Sequence, residues 1–292
     1  MHRKDYGWRL ISVGPTFLLL LLLTFVPVVL LVTMSFHDIE WELGKVHWTF
    51  LGLDNYRELP NNAFYRSAIG NTFIFVFATV TAEMLLGFFF ALLVSRLSHG
   101  RMWFIAVFLL PILIPGIVIG AIWKLMYNFD FGLFNDMVAL IGIPEQDWLG
   151  EQHLALFSVI MVDVWHWTSY CFLLLLAGLE SLPQDVYEAS KLDGAGVVEE
   201  LLYITLPLMW PVIAVTAVTR LLLAFMVFDE VYLLTFGGPG TATEVLSFVV
   251  FRTFFDEDRQ GFGSAMSISI IAMVVALLVL GYGGLRKRRA KA

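Results

Sequence analysis

One carboxylate and two aromatic residues are spaced as on one face of a helix inside an apolar stretch of this 292-residue chain. Asp163, Trp167 and Tyr170 lie in the segment MVDVWHWTSY, and a helix would place them on one face. A carboxylate accepts hydrogen bonds from hydroxyl groups, and aromatic rings stack on the C–H faces of sugars. The three residues therefore predict a site for a polyhydroxylated solute. The alternative is an aromatic belt at the membrane interface, where Trp and Tyr are enriched.

Three further ionisable residues, Glu83, Lys124 and Arg220, fall within or near apolar stretches. A charge at the centre of a bilayer costs about 2.5–3.5 kcal/mol on insertion scales, so such residues face a bundle interior or an aqueous path. One interpretation is mutual neutralisation, for example of Glu83 by Arg220. Another is an ion relay that includes Asp163. Lys124 lies near the end of its stretch and can extend to the membrane surface.

The sequence lacks the motifs of an enzyme that works alone. No G-x-x-x-x-G-K-[ST] is present, and the only Gly-Lys pair, Gly44-Lys45, is followed by Val46, so no loop is expected to hold the phosphates of ATP. No cluster with metal-ligand spacing and no positioned Ser–His–Asp set is found. We therefore predict no catalytic residue, cofactor or metal in this chain, and expect another polypeptide to supply the energy.

The elements that must position these residues are apolar helices. Hydrophobic residues make up 59% of the chain and charged residues 15%, against about 45–50% and 25% in soluble domains. The excess is grouped in blocks long enough to cross a bilayer as helices, and the alternating pattern of a membrane barrel is absent. We predict an all-α polytopic protein that forms a single domain over residues 1–292. Its six spans are expected at 11–34, 71–94, 103–126, 154–179, 208–227 and 262–284.

Prolines interrupt two of the predicted spans. Pro111 and Pro115 are expected to kink the third span, and Pro211 the fifth. Such kinks are either plain packing features or points about which a span rocks during transport.

Basic residues set the predicted orientation. Lys and Arg are concentrated in the N-terminal segment, in the SRLSHGR loop and in the LRKRRAKA tail, whereas the loop from 127 to 153 has neither. Cytoplasmic loops are enriched in Lys and Arg, so we predict that both termini are cytoplasmic. The segment of residues 180–207, named the coupling loop below, is then cytoplasmic too.

The coupling loop is predicted to contain two short helices. The first, PQDVYEASKL, is expected to end at Asp193-Gly194, because glycine is typical just after a helix C-terminus. The second, GVVEELLYI, leads to Pro207, where we expect the chain to turn and re-enter the membrane.

The first of these helices is a candidate docking element. Val186, Ala189 and Ser190 would share one face at helical spacing, and the small side chains would let the helix lie deep in a groove of another protein. An ordinary surface helix is the alternative. The acidity of the loop departs from the positive-inside trend, so we attribute it to a partner.

The coupling loop also resembles a known motif. The sequence EASKLDGAGVVEELLYITLP is similar to the EAA loop of permease subunits of binding-protein-dependent ABC importers, which reads E-A-A, three residues, Gly, nine residues, I-x-L-P. The matching positions are Glu188, Ala189, Ser190 in place of the second alanine, Gly194, Ile204, Leu206 and Pro207. FLGLDNYREL and LLTFGGPGTAT resemble two further segments of sugar-type permeases, the latter typical of the first of two non-identical permeases, the maltose-F or glycerol-phosphate-A type.

The resemblance, which extends over most of the chain, implies a function. The chain is expected to be a transmembrane subunit of a type I ABC importer in a prokaryotic plasma (inner) membrane. It would form the pathway for a sugar, polyol or related solute and work by alternating access. The expected partners are a second permease in a heterodimer, a dimer of ATPase subunits that bind ATP and Mg, and an extracytoplasmic solute-binding protein, with no nucleic acid. The resemblance assigns ATPase coupling to Glu188, Ala189, Ser190, Asp193, Gly194 and Pro207. It also puts Trp123 and Tyr127 beside the solute pathway predicted at Asp163, Trp167 and Tyr170.

An ion-coupled secondary carrier that uses Asp163, Glu83 and Arg220 as its relay is the alternative function. Uptake that survived both ATP depletion and Glu188→Lys would favour the carrier. A lone acid in the pathway disfavours anionic solutes unless Arg220 or Lys124 compensates. This charge argument weakly favours neutral sugars, glycosides or polyols.

Overall fold

The computed structural model describes residues 4–42 and 44–289 of a mainly helical chain. Contacts divide it into two compact units, Met1–Tyr65 with Val250–Ala292 and Arg66–Val249. Two 3₁₀ turns, Leu59–Asn61 and Pro111–Leu113, and two π-helical turns, Leu201–Thr205 and Arg252–Asp256, adjoin the regular helices. The elements in chain order are α1 (Lys4–Ser35), β1 (His37–Glu42), β2 (Lys45–Phe50), α2 (Asp54–Glu58), α3 (Ala63–Ser95), α4 (Arg101–Leu109), α5 (Gly116–Met126), α6 (Leu133–Ala139), α7 (Gln152–Glu180), α8 (Gln184–Leu192), α9 (Val197–Glu200), α10 (Leu206–Ala224), α11 (Asp229–Leu234), α12 (Leu246–Phe251) and α13 (Gln260–Arg289).

Within the described residues, five helical segments are long and apolar enough to cross a membrane. Five of the six predicted spans therefore lie at the expected positions, and the prediction of an all-α membrane protein is confirmed. The segments are Val13–Ser35, Ala63–Ser95, Gln152–Glu180, Val197–Ala224 and Gln260–Leu280.

The predicted third span, 103–126, is not one continuous helix. α4 ends at Leu109, a 3₁₀ turn starts at Pro111, and α5 starts after Pro115, whose own backbone is extended. Proline lacks an N–H and disfavours helical backbone in the residue before it, so two prolines four residues apart interrupt the helix. The interruption occurs at the two prolines expected to kink this span. By contrast, α10 continues through Pro211. The count of six spans and the side on which the termini lie stay predictions.

The first unit consists of α1, the β1–β2 hairpin, α2 and α13. Asn55 on α2 donates hydrogen bonds from Nδ2 to the carbonyls of Ser35 at 3.0 Å and His37 at 3.2 Å. The first turn of α13 comes close to the same place, because a Cβ on Gly261 would overlap the carbonyl of His37. These contacts hold the end of α1, the start of the hairpin and the start of α13 together.

The second unit is a bundle in which α3, α7 and α10 share an apolar core that includes Val94, Phe172 and Met209. Glycine allows α3 and α7 to approach closely, since a Cβ on Gly87 would lie 2.8 Å from both the Cβ of Cys171 and the backbone nitrogen of Phe172. Small residues at helix contacts are the usual solution in membrane bundles, where lipid competes with side chains for apolar contact. The prediction of a single domain over 1–292 stays a prediction.

Candidate functional site

The coupling loop folds around one exposed amphipathic helix, α8. The helix starts at Gln184, with Pro183 as its N-cap and not in its first turn as predicted, and it ends at Leu192, where Asp193 is the predicted stop. Gly194 follows with φ +79°, a backbone conformation that glycine adopts without strain. The amides of Gly194 and Ala195 donate to the carbonyls of Lys191 at 3.2 Å and Ser190 at 3.0 Å, the pattern that satisfies the last carbonyls of a helix. The glycine of the motif is therefore the helix stop.

The side chains of α8 differ from the predicted docking face. Glu188 and Ala189 are exposed, as is Val186, whereas Ser190 is buried and its hydroxyl donates to the Tyr187 carbonyl at 2.9 Å. The three residues lie on one side of α8, as their spacing predicts, but only Val186 and Ala189 are accessible to a partner. A hydroxyl that bonds to the backbone three residues earlier turns inwards along its own helix. Within the Glu188-Ala189-Ser190 part of the motif, Glu188 and Ala189 are therefore the exposed residues.

The predicted turn at Pro207 is also wrong. Helical backbone runs from Val197 to Ala224, and a π-helical turn at Leu201–Thr205 leads directly into α10. Pro207 lies in the first turn of α10, where an amide donor is not needed. The π-helical turn, closed by the Leu206 amide donating to the Leu201 carbonyl, supplies the local change in helix geometry that lets a proline follow without ending the helix.

Polar contacts connect the coupling loop to the ends of the long helices. Tyr187 on α8 shares a hydrogen bond of 3.1 Å with Thr205 in the π-helical turn. Arg96, just after α3, lies 3.8 Å from the carboxylate of Glu200 on α9. Arg101 at the start of α4 pairs with Glu180 at the end of α7. These contacts surround a polar cavity of about 440 Å³ and connect the coupling loop with the cytoplasmic-side ends predicted for α3, α4, α7 and α10.

A buried group of charges lies between α3, α7 and α10. Arg220 donates from Nε to Glu83 at 2.5 Å and from Nη2 to the other Glu83 oxygen at 2.8 Å. The same Nη2 also bonds to Asp163. All three side chains are at most 1% exposed. The interpretation that Arg220 neutralises Glu83 is therefore correct, and the arrangement is the bidentate fork for which arginine is suited.

This group contains the predicted solute ligand Asp163, but not as a lone acid. Oδ2 of Asp163 bonds to Arg220, while its buried Oδ1 has no hydrogen-bond partner among the described residues. The argument that a lone acid favours neutral solutes therefore no longer holds, because Arg220 compensates the charge. Trp167 lies beside the group, with its ring centroid 4.8 Å from the Arg220 guanidinium carbon. Trp167 and Tyr170 are half-buried and pack edge to face at 5.9 Å.

A second buried polar pair, His166 and Glu230, adjoins this group. Nδ1 of His166 lies 3.3 Å from Glu230 on α11, and both side chains are buried. The next carboxyl, Asp229, is less buried and lies against Gly116 at the start of α5, where a Cβ would come within 2.9 Å of Oδ2. Burial, and then the neighbouring charge of Glu230, raise the pKa of Asp229 above its ordinary value.

The other two predicted pathway residues, Trp123 and Tyr127, belong to a separate aromatic group with Phe134 and Trp148. Tyr127 is only 1% exposed, and its hydroxyl donates to the Ser158 carbonyl at 3.3 Å. Rings of Trp123 and Tyr127 lie 5.3 Å apart. Trp123 is half-buried and also contacts Trp165 at 5.6 Å. In this conformation Trp123 offers ring surface and Tyr127 does not. Lys124 is exposed on α5.

An apolar groove of about 620 Å³ lies beside α3, α4 and α7, between Leu86, Phe108 and Trp165. Its lining is almost entirely hydrocarbon, with Thr168 and Ser169 as the polar exceptions. A polyhydroxylated solute would lose most of its hydrogen bonds there, at a cost of about 1–3 kcal/mol for each unsatisfied group. The groove is therefore unsuited to such a solute.

The sequence did not predict the pairs Arg96–Glu200, Arg101–Glu180 and His166–Glu230. The two residues of each pair lie 60 or more positions apart in the sequence, and no motif or regular spacing links them. One signal was available for His166, because it lies three residues after Asp163 in the same apolar helix and is therefore on nearly the same face.

Comparisons with known proteins identify the family to which the chain is similar. Residues 83–289 match the family described as "Binding-protein-dependent transport system inner membrane component". The chain is 40% identical over 232 residues to the trehalose/maltose transport system permease protein MalF of Thermococcus litoralis, covering 79% of this chain and 78% of that protein. It is 30% identical to the arabinooligosaccharides transport system permease protein AraP of Bacillus subtilis, covering 96% and 93%.

A solved structure has the same fold. A chain of a bacterial alginate ABC transporter, crystallised in complex with an alginate pentasaccharide-bound periplasmic protein, superposes with a TM-score of 0.82. The match covers 96% of this chain and 95% of that chain at 21% identity. At this identity the likeness concerns the fold.

Proposed function

This chain belongs to the family of inner membrane components of binding-protein-dependent transport systems, and from that premise we propose that it forms one half of the pathway through which an ATP-driven importer takes up a sugar or oligosaccharide. The chain is a multi-pass inner membrane protein and a permease subunit of an ABC transporter. Energy is supplied by a separate pair of ATPase subunits that bind ATP and Mg²⁺. An external binding protein delivers the solute, and a second permease completes the pathway.

The observation that carries the proposal is the position of α8. Glu188 and Ala189 are exposed on this chain, at the surface predicted to face the cytoplasm. Tyr187 on α8 also shares a hydrogen bond with Thr205 in the π-helical turn before α10, and Glu200 on the following α9 lies 3.8 Å from Arg96 just after α3. An ATPase bound to Glu188-Ala189 can therefore push on α10 through Tyr187 and on α3 through α9.

The mechanism follows from these connections. Closure of the ATPase dimer displaces α8; the displacement passes through the short stop at residues 193–196 to the helical backbone that runs from Val197 to Ala224 and includes α10. Arg220 on α10 is bonded to Glu83 on α3 and Asp163 on α7. The three helices therefore move as one group, and the interruption at Pro111–Leu113 separates α4 from α5 as a place where the bundle can bend.

The substrate class follows from the relatives, which are named for trehalose and maltose and for arabinooligosaccharides. We infer that the solute carried through this chain is a sugar, an oligosaccharide or a polyol. The half-buried rings of Trp167 and Tyr170 next to Arg220 and Asp163 are the proposed contact site. The rings supply stacking surface for a sugar face, and the buried guanidinium of Arg220 lies against the ring of Trp167. Because Asp163 is paired, neutral and acidic sugars both remain candidates.

Charge reversal in α8 tests the proposal. Glu188→Lys in the complete transporter is expected to abolish solute uptake and to reduce copurification of the ATPase, while membrane insertion is unchanged. Glu145→Lys makes the same change at an exposed position outside the coupling loop and is expected to leave uptake intact. Full uptake by Glu188→Lys, retained after ATP depletion, would overturn the importer proposal in favour of an ion-coupled carrier.

A further inference from the structure

The β1–β2 hairpin has two chemically different faces. The strands pair antiparallel with His37 opposite Phe50, Ile39 opposite Trp48 and Trp41 opposite Val46. Successive side chains of a strand alternate between the two faces of a sheet. One face, named the aromatic face, therefore carries His37, Ile39, Trp41, Val46, Trp48 and Phe50. The opposite face, named the polar face, carries Asp38, Glu40, Lys45, His47 and Thr49.

The aromatic face is largely uncovered. Trp41 is 61% exposed, Trp48 45% and Phe50 71%, whereas Ile39, which lies on the same face, is buried. A two-stranded hairpin is marginally stable by itself in water. A face this apolar requires a covering surface, and its extent exceeds the scattered apolar residues of an ordinary protein surface.

The depth of the hairpin in the membrane is fixed by its neighbours. The apolar part of α1, Val13–Ser35, has 23 residues and is about 35 Å long at 1.5 Å per residue, slightly more than the hydrocarbon core of about 30 Å. β1 starts at His37, two residues after this span ends. The span Gln260–Leu280 starts at the same level, because Gly261 packs on the His37 carbonyl. Two apolar spans therefore end at the base of the hairpin, which places it at the boundary between lipid and water.

We propose that the hairpin lies along the membrane surface, with its aromatic face on the lipid and its polar face in water. Trp and Tyr are enriched at this boundary because their rings tolerate the mixed environment of the head groups. The two faces match the two sides of the boundary: Trp41, Val46 and Trp48 on one side and Glu40, Lys45 and His47 on the other. Phospholipid surrounds the exposed surface of α1, and α1 leads directly into the hairpin. The same lipid therefore covers the aromatic face. The inference depends on the membrane spans and not on the transport proposal.

Neighbouring positions on β2 provide a matched test, because they point to opposite faces. The buried Cys171 is first replaced by Ala, and single cysteines at Val46, His47, Trp48 and Thr49 are then spin-labelled in the full chain in phosphatidylcholine–phosphatidylglycerol nanodiscs. Collisions with oxygen, which dissolves in lipid, are compared with collisions with a water-soluble nickel chelate. We expect the oxygen-to-nickel ratio to be several-fold higher at 46 and 48 than at 47 and 49.

A measurement on a less perturbed chain guards against misfolding of the labelled variants. Bromines placed near the head group of the lipid should quench part of the tryptophan fluorescence of the native chain, and Trp41→Phe should remove some of the quenched component. Equal ratios at all four labelled positions would overturn the proposal. So would high nickel accessibility at 46 and 48 that disappears only when the second permease or the binding protein is added, since a protein would then be the covering surface.

Discussion

Removal of Arg220 tests whether the buried charges hold the second unit together. Arg220→Leu would leave Glu83 and Asp163 facing each other between α3, α7 and α10, with each side chain at most 1% exposed. Breaking a buried ion pair by removing one partner costs about 3–5 kcal/mol, because the remaining charge is uncompensated. At about 2–4 °C per kcal/mol for a chain of this size, we expect the Tm to fall by about 6–20 °C.

The assay is thermal unfolding of the purified chain in one detergent, with membrane insertion measured in parallel. Arg57→Gln is the control, because Arg57 pairs with Asp54 at 2.9 Å on the surface, with side chains 77% and 62% exposed. Such a pair contributes about 0–1 kcal/mol, so the control should shift the Tm by a few degrees at most.

A neutral replacement of the whole group separates charge from packing. Glu83→Gln, Asp163→Asn and Arg220→Met combined leave no buried charge, and replacing a complete buried group is often neutral or stabilising. We expect this triple variant to recover most of the Tm lost by Arg220→Leu. The reasoning is refuted if Arg220→Leu matches the Arg57→Gln control, or if the triple variant is less stable than the single one.

Three further predictions address helix contact, coupling and charge. Gly87→Ala should destabilise the chain by about 1–3 kcal/mol through overpacking against α7, seen as a lower Tm, while Gly70→Ala on the same helix, with no atom within 4 Å, should be neutral or stabilising by up to about 1 kcal/mol. Arg96→Glu should lower the solute imported per ATP hydrolysed; adding Glu200→Arg should restore it, and failure of the double variant to do so would contradict direct transmission through this pair. Because the pKa of Asp229 is raised in the folded state, ionisation at neutral pH opposes folding; Asp229→Asn should raise the Tm at pH 7 by an amount that shrinks as the pH falls towards the ordinary pKa of aspartate, and a gain independent of pH would contradict the assignment.

The sequence alone determined the class of the protein, five of its spans and the point at which α8 ends. Apolar blocks of about 20 residues have few alternatives in a bilayer, because every backbone amide must be satisfied within its own segment. The end of α8 at Asp193-Gly194 was predictable for a similarly local reason: a positive φ favours glycine. The interruption of the third predicted span followed from Pro111 and Pro115, which act on their own backbone.

Only the tertiary structure decided which side chains meet. Asp163 was predicted from the spacing on its own helix as an acid that faces solute, yet its partner Arg220 is 57 residues away and no periodicity specifies that distance. Ser190 matched the motif but turns inwards, because a hydroxyl can bond to its own backbone. The continuation of the helix through Pro207 required a π-helical turn, and no residue type in the sequence predicts such a turn. Periodicity and backbone chemistry are local properties and can be read along the chain, whereas pairing between helices depends on their rotation and packing, which the folded bundle sets.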